Sequence, residues 1–278
     1  MPLPFLDLGD LSLHYQDLGS KSGAPVVFCN EIGTDSRLWQ NLMPLLPAGL
    51  RLITHDLRGQ GQSSVPPSPY RMGQMIADTE QLLDHLGIRD AVFVGLGLGG
   101  LIAQGLATKR LDQIRALVLM GTAPRIGAAS HWDRSGLLAL AEGIEPIVIE
   151  LVPRWFSSKF QKNTAFPQWR DVLAEQDPEG FAGAAAAISG TDFYTTTAAL
   201  TLPAIVIAGY EDRATPPDLL RELSELMPGA EFALLRGAGH LPPIDSPAET
   251  AALIGDFLHR IAHPTGTSCQ NHHHDGCC

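Results

Sequence analysis

Residues 91–100 read "AVFVGLGLGG", and residues 101–110 continue "LIAQGLATKR". An apolar run closed by alternating glycines and followed by a helix-like stretch is a strand that turns sharply into a helix. Two kinds of turn fit, and they predict different proteins. Gly95, Gly97 and Gly100 satisfy G-x-G-x-x-G, the cradle in which a dinucleotide's pyrophosphate rests on a helix N-terminus. That cradle also needs an acidic residue about 20 positions further on, to hold a ribose hydroxyl. Here the next strand ends "LVLMGTAPR", residues 117–125, without a carboxylate. The turn also follows the fifth strand-like run of the chain instead of opening a βαβ unit, so the dinucleotide reading is set aside.

In the other frame, Gly95-Leu96-Gly97-Leu98-Gly99 fits the nucleophile elbow G-x-S-x-G, with Gly97 where the serine belongs. The central residue of such a turn sits in a strained conformation, and its neighbours are small because strand and helix pass close together. A motif without its key letter has to be judged by its companions.

Working outward, "PFLDLG" (4–9) and "LSLHYQDLG" (11–19) read as a hairpin, and "PVVFCN" (25–30) and "LRLITHDLR" (50–58) as strands. "MIADTEQLLDHLG" (75–87) places Ile76, Thr79, Leu82, Leu83 and Leu86 on one helix face, with Gly87 as a stop. "IRALVLMG", "AIVIAG" and "EFALLR" complete the strands. Continuous Val/Ile/Leu runs alternating with helices predict an α/β fold: a mostly parallel, eight-stranded sheet covered by helices on both faces. Between residues 131 and 200 the rhythm breaks. "LLALAEGIEPIVIELVPRWF" and "DPEGFAGAAAAISG" read as helices with no strand between them, an inserted helical lid over the sheet edge where such folds place ligands. The expected organisation is therefore a core over 1–130, a lid over 131–200, the rest of the core over 201–263, and a disordered tail over 264–278.

The elbow's companions are present in order. "AGYEDRATPP" (208–217) puts Asp212 just past a strand, and "RGAGHLPPIDSP" (236–247) puts His240 just past the next. Elbow, acid, histidine is the chain order of one large hydrolase fold. With "NEIGTDSRLW" (30–39), "HDLRGQGQSS" (55–64), "GTAPRIG", "PRWFSSKF" and "DPEGFAGAAAAISGTDF" added, residues 5–262 resemble the α/β-hydrolase superfamily, and within it the 3-oxoadipate enol-lactonases. The lid segments "PRWF" and "AAISGTDF" are the more specific part of that resemblance. It implies Asp212 as the triad acid, His240 as general base, and the backbone N–H groups of Glu31 and Leu98 as oxyanion-hole donors.

Two departures stand out. Gly97 has no side chain to form an acyl-enzyme, and losing the serine of such a triad costs on the order of 10⁶ in kcat. Glu31 stands where enol-lactonases carry a serine, in an "NSLG"-like loop. What remains is a His240–Asp212 dyad able to activate water against a lactone or to take a proton next to a carbonyl. Two placements are open for Glu31. Its carboxylate can enter the space Gly97 vacates, with its pKa raised by burial, as base or nucleophile. Or it can turn to solvent or pair with Arg37 or Arg125, which is the commoner fate of a carboxylate.

Trp39, Trp132 and Trp155 are candidates to line a substrate pocket, although large rings more often pack in cores. Arg125, Arg134 and Arg154 are candidates to hold a substrate carboxylate. Arg58 is expected to brace its loop through backbone hydrogen bonds. The remaining histidines, His14, His55, His85 and His131 among them, form no metal-ligand spacing, and no metal or cofactor is expected.

With 45% hydrophobic and 18% charged residues, the 278-residue chain suits a soluble globular protein. A net charge of −11 argues against nucleic acid or an anionic membrane as partner. "MPLPFLDLGD" shows no secretory signal, and no apolar run is long enough to span a membrane. Cys29 reads as a core residue, while Cys269, Cys277 and Cys278 lie in the tail with His272, His273 and His274. That is no disulfide framework, and the expected compartment is the cytoplasm. The expected function is an enol-lactonase-like enzyme on a small carboxylated lactone or β-keto acid. It would work through His240–Asp212, with Glu31 as a further candidate, as a monomer or homodimer. The alternatives are a catalytically silent relative that binds a small ligand or a protein partner, and a lactonase from which the nucleophile has been removed.

Overall fold

The computed structural model describes residues 4–264. The stretch expected to be a tail, with its cysteines and histidines, lies outside the described residues beyond Pro264. Eight strands form one sheet in the order β1-β2-β4-β3-β5-β6-β7-β8. They are β1 Phe5–Asp7, β2 Ser12–Gly19, β3 Pro25–Cys29, β4 Arg51–His55, β5 Ala91–Leu96, β6 Ile114–Met120, β7 Ala204–Gly209 and β8 Glu231–Leu235. The β1–β2 and β2–β4 pairs are antiparallel, and every later pair is parallel. β5 and β7 are buried along their whole length, as parallel strands covered on both faces must be.

The helices are α1 Met72–His85, α2 Leu98–Lys109, α3 Ala129–Glu142, α4 Glu145–Trp155, α5 Phe166–Ala174, α6 Pro178–Ser189, α7 Tyr194–Ala198, α8 Pro217–Leu226, α9 Pro242–Asp245 and α10 Pro247–Arg260. On α1 the expected face is buried at Ile76, Thr79, Leu82 and Leu83, and the chain leaves the helix through Gly87 at φ 64°. "LLALAEGIEPIVIELVPRWF" is not one helix, because Gly143 takes φ 82° and divides α3 from α4. The short helices α5, α7 and α9 carry too little periodicity to stand out in the sequence. α3 packs on α6 along its glycine and alanine stripe, and a Cβ on Gly136 would lie 3.5 Å from the Ala182 Cα.

Strand order places the site. The chain leaves β3 to build β4 on one side and returns to build β5 on the other, so the β3 and β5 ends diverge and leave a crevice. Cys29 pairs with Gly95 in register, so the residues that follow, Asn30-Glu31 and Leu96-Gly97, emerge side by side. The Gly99 N–H donates to the Asn30 carbonyl at 2.9 Å, and a Cβ on Gly99 would overlap the Cys29 carbonyl. This close approach is what the small residues of the turn allow.

Candidate active site

Gly97 precedes α2 at φ 51°, ψ −111°, and its carbonyl accepts a hydrogen bond from the Thr122 hydroxyl at 2.8 Å. A Cβ built on Gly97 would coincide with Oε2 of Glu31. The glutamate reaches across from the β3 loop and fills the volume a residue-97 side chain would take. It is 3% exposed, so the solvent placement favoured by the ordinary behaviour of carboxylates does not occur. Neither arginine offered as its partner is available. Arg37 pairs with Asp35 and Glu175, and Arg125 lies 3.8 Å from Asp192.

Both oxygens of Glu31 are engaged. Oε1 accepts the Ile32 N–H at 2.7 Å, and Oε2 lies 3.2 Å from His240 Nε2. On the far side of the ring, His240 Nδ1 lies 2.9 Å from Asp212 Oδ2. Asp212 is fixed in turn by the Ala214 and Thr215 N–H groups on Oδ1, at 2.8 and 2.9 Å, and by the Thr215 hydroxyl on Oδ2 at 2.8 Å. The His240 N–H donates to the Trp155 carbonyl at 2.7 Å, and the Trp155 ring stacks on the imidazole at 6.1 Å. Burial disfavours a charged imidazole, but the carboxylates of Asp212 and Glu31 on its two nitrogens outweigh burial and push His240 up to about 10. The two flanking acids therefore favour the protonated form of the ring.

The sequence pointed to Gly97, Asp212, His240 and Glu31, and the chain brings all four together. The Ile32 N–H donates to Glu31 Oε1, and the N–H groups of Glu31 and Leu98, which the resemblance implied as oxyanion-hole donors, have no hydrogen-bond partner among the described residues. Thr215 and Ile32 were missed. The only signal for Thr215 was its place in "DRAT", where a hydroxyl three residues after an aspartate can close a side-chain turn.

Glu31 and His240 border a cavity of about 60 Å³. Trp132 and Trp155 form part of its wall, as expected, with Ile32, Ile126 and Leu151. Trp39 does not reach it: the ring is fully buried against Phe28, and its Nε1–H donates to Asn30 Oδ1. Arg125 and Arg134 are also misplaced as substrate ligands. Their side chains are 55% and 69% exposed, and neither borders the cavity. Arg154 does border it, beside His131. Arg154 Nε and Nη2 donate to the Arg213 carbonyl, and Nη1 has no partner among the described residues. Arg58 is structural, but through carboxylates: it forms a two-point pair with Asp78 at 2.6 and 2.8 Å. A larger polar cleft of about 610 Å³ borders Asp35, Arg37 and Glu175 and touches neither Glu31 nor His240. Among the described residues, no group of three or more His, Cys, Asp or Glu could hold a metal, and no helix is long and apolar enough to cross a membrane.

Comparison with known proteins identifies the family and agrees with the fold. The family model of the alpha/beta hydrolase fold matches residues 24–247. The chain is 30% identical over 240 residues to 3-oxoadipate enol-lactonase 2 of Acinetobacter baylyi, covering 86% of this chain and 90% of that one. It is 28% identical to 3-oxoadipate enol-lactonase 1 of the same organism, covering 90% and 94%. The crystal structure of the enol-lactonase from Burkholderia xenovorans LB400 superposes with a TM-score of 0.88 at 32% identity, over 92% of this chain and all of that one. The sheet order, the elbow at Gly97, the Asp212–His240 pair and these relatives lead to one assignment: the chain belongs to the α/β-hydrolase family and is enol-lactonase-like within it.

Proposed function

We propose that this protein is an enzyme acting on a small carboxylated lactone or β-keto acid, and that the Glu31 carboxylate is its reactive group in place of a serine. One observation carries the reading: Glu31 Oε2 occupies the position of a residue-97 side chain while lying 3.2 Å from His240 Nε2. The simple expectation of His240 as resting general base loses support, because an imidazolium flanked by two carboxylates has no lone pair to offer. The roles divide differently. Glu31 takes a proton, from carbon next to a carbonyl or from water, and His240 gives its Nε2 proton to the oxygen on which charge develops. Arg154, whose Nη1 has no partner among the described residues, borders the cavity and is the fitting ligand for a substrate carboxylate. The helices between β6 and β7 serve as a lid, since Trp132 and Trp155 wall the cavity.

The test is turnover of an enol-lactone and of a β-keto acid by the full chain beside its Glu31→Gln variant. The variant is expected to lose roughly 10²–10⁴ of the rate, the usual size of a general acid–base contribution. The wild-type rate should also persist with no loss of a protonated group near pH 6.5, and fall only as pH approaches 10, where His240 deprotonates. An unchanged rate in Glu31→Gln would overturn the reading. A second reading has its own support: both oxygens of Glu31 are already satisfied, as a bound carboxylate product would be, which suits a silent ligand-binding relative. Tight binding of a lactone analogue without turnover would favour that reading.

A further inference from the structure

We propose that Trp132 is a movable partition between the cavity beside Glu31 and an apolar groove on the helical block, and that the substrate carries an uncharged alkyl arm that displaces the indole and lies in that groove. This deepens the carboxylated-lactone reading above and rests on it.

Trp132, on α3, borders two spaces. On one side is the cavity of about 60 Å³ that Glu31 and His240 share. On the other is a groove of about 270 Å³ between α3, α6 and the loop ahead of α1. Among the described residues, Trp132 alone borders both. Small-molecule pockets usually enclose roughly 300–1,000 Å³. The cavity by itself falls several-fold short of that, and the two spaces joined reach it. The hold on the indole is slight. Its Nε1–H donates to the Ile126 carbonyl at 2.6 Å, its one polar contact among the described residues. Gly127, at φ 66°, puts no side chain beside it, and a Cβ there would lie 3.5 Å from Nε1. Turning the ring aside therefore breaks one hydrogen bond and adds the ring's own volume to the passage.

The groove selects the arm. Gly136, Ala182 and Ala186 contribute little bulk to it, while Leu137 and Leu140, three residues apart on α3, border it at 68% and 48% exposure. Neighbouring leucines so exposed lose free energy to water unless an apolar group covers them. Asp133 also borders the groove and repels a second carboxylate, so the fitting arm is uncharged. The substrate's own carboxylate stays on the cavity side with Arg154.

The test is calorimetric binding of 2-methyl-5-oxooxolane-3-carboxylate and of its 2-pentyl homologue to the full chain. Each buried methylene is worth about fourfold in Kd. After the cost of ordering the arm and displacing the indole, the four extra methylenes should tighten binding at least about tenfold. Ala186→Leu fills the groove and should cut that preference below about threefold. Leu137→Ser, at an exposed position, removes one apolar wall and should lower the preference at least about twofold. Trp132→Ala removes the partition and should raise it about threefold or more. A smaller preference in the parent, one kept in both groove variants, or one that falls in Trp132→Ala would overturn the inference. Turnover of the enol-lactone and the β-keto acid is followed on the same preparations. Arm preference without turnover sinks only the reaction proposed above, and turnover without arm preference sinks only this inference.

Discussion

Gly97 and Glu31 are one change seen at two positions. The glutamate can enter only because residue 97 has no Cβ, and the glycine leaves a gap that a buried carboxylate, held by the Ile32 amide and His240, fills. Restoring serine at 97 alone is therefore expected to fail. Its Cβ would coincide with Glu31 Oε2 and would sit at φ 51°, a region that disfavours side chains. Overpacking of that kind costs about 1–3 kcal/mol, so Gly97→Ser should melt lower than the parent and show no serine-esterase activity. The double variant Glu31→Ser, Gly97→Ser clears the space and sets a hydroxyl before His240 and Asp212. It should hydrolyse p-nitrophenyl acetate at least about 100-fold faster than either single variant, by the logic of a restored triad. If Gly97→Ser alone were fully active and as stable as the parent, the two positions would be independent.

At the scale of elements, what was legible followed from periodicity and chain order. The strand-turn-helix at 91–109 and the placing of Asp212 and His240 just past β7 and β8 were readable because parallel strands end on the same edge. The direction of a loop side chain has no such signature. Nothing in "NEIG" tells whether Glu31 faces solvent or Gly97, and nothing separates Trp39, in the core, from Trp155, on the cavity. Another contact without a sequence signal is Asp245 on α9. Its Oδ2 accepts the N–H of Gly239, next to His240, and that of Ser157, which follows α4, and so pins the histidine loop to the helical block. Burial pushes Asp245 up to about 6, although those two amides and the Ser157 hydroxyl pull the other way. A carboxyl raised above its unfolded value of about 3.9 stabilises the fold most when protonated. That contribution is full below about pH 4 and is lost as pH rises through 6, on the order of 3 kcal/mol. Asp245→Asn keeps an oxygen for both amides and removes the titration. The variant should gain stability relative to the parent between pH 4 and pH 6.5, read as a widening difference in Tm. A difference that stays constant over that range would contradict this account.

For the whole molecule, the site exists only where two bodies of structure meet. The sheet edge supplies Glu31, Gly97, Asp212 and His240, while the block between β6 and β7 supplies the walls Trp132, Leu151 and Trp155. The block is seated by backbone contacts at the start of α6. Asp177 caps the helix through the Glu179 and Gly180 N–H groups, Glu179 accepts the Ser68 N–H at 2.6 Å, and the Tyr70 N–H donates to the Gly183 carbonyl at 3.3 Å. At that seam Gly180 lies flat against the loop after β4, and a Cβ there would overlap the Gly59 carbonyl. Backbone on both sides leaves little room to yield, so Gly180→Ala should push the block outward at a cost of about 1–3 kcal/mol. Glu31, Asp212 and His240 stay on the sheet edge, but the walls shift, so the loss should fall on substrate binding. KM is expected to rise several-fold with kcat changed much less. Gly190→Ala, at the other end of α6, meets nothing nearer than the Ala186 carbonyl at 3.6 Å and serves as the control, with both constants unchanged. Equal effects of the two alanines, or a loss confined to kcat in Gly180→Ala, would mean that the seating of the helical block does not shape the cavity.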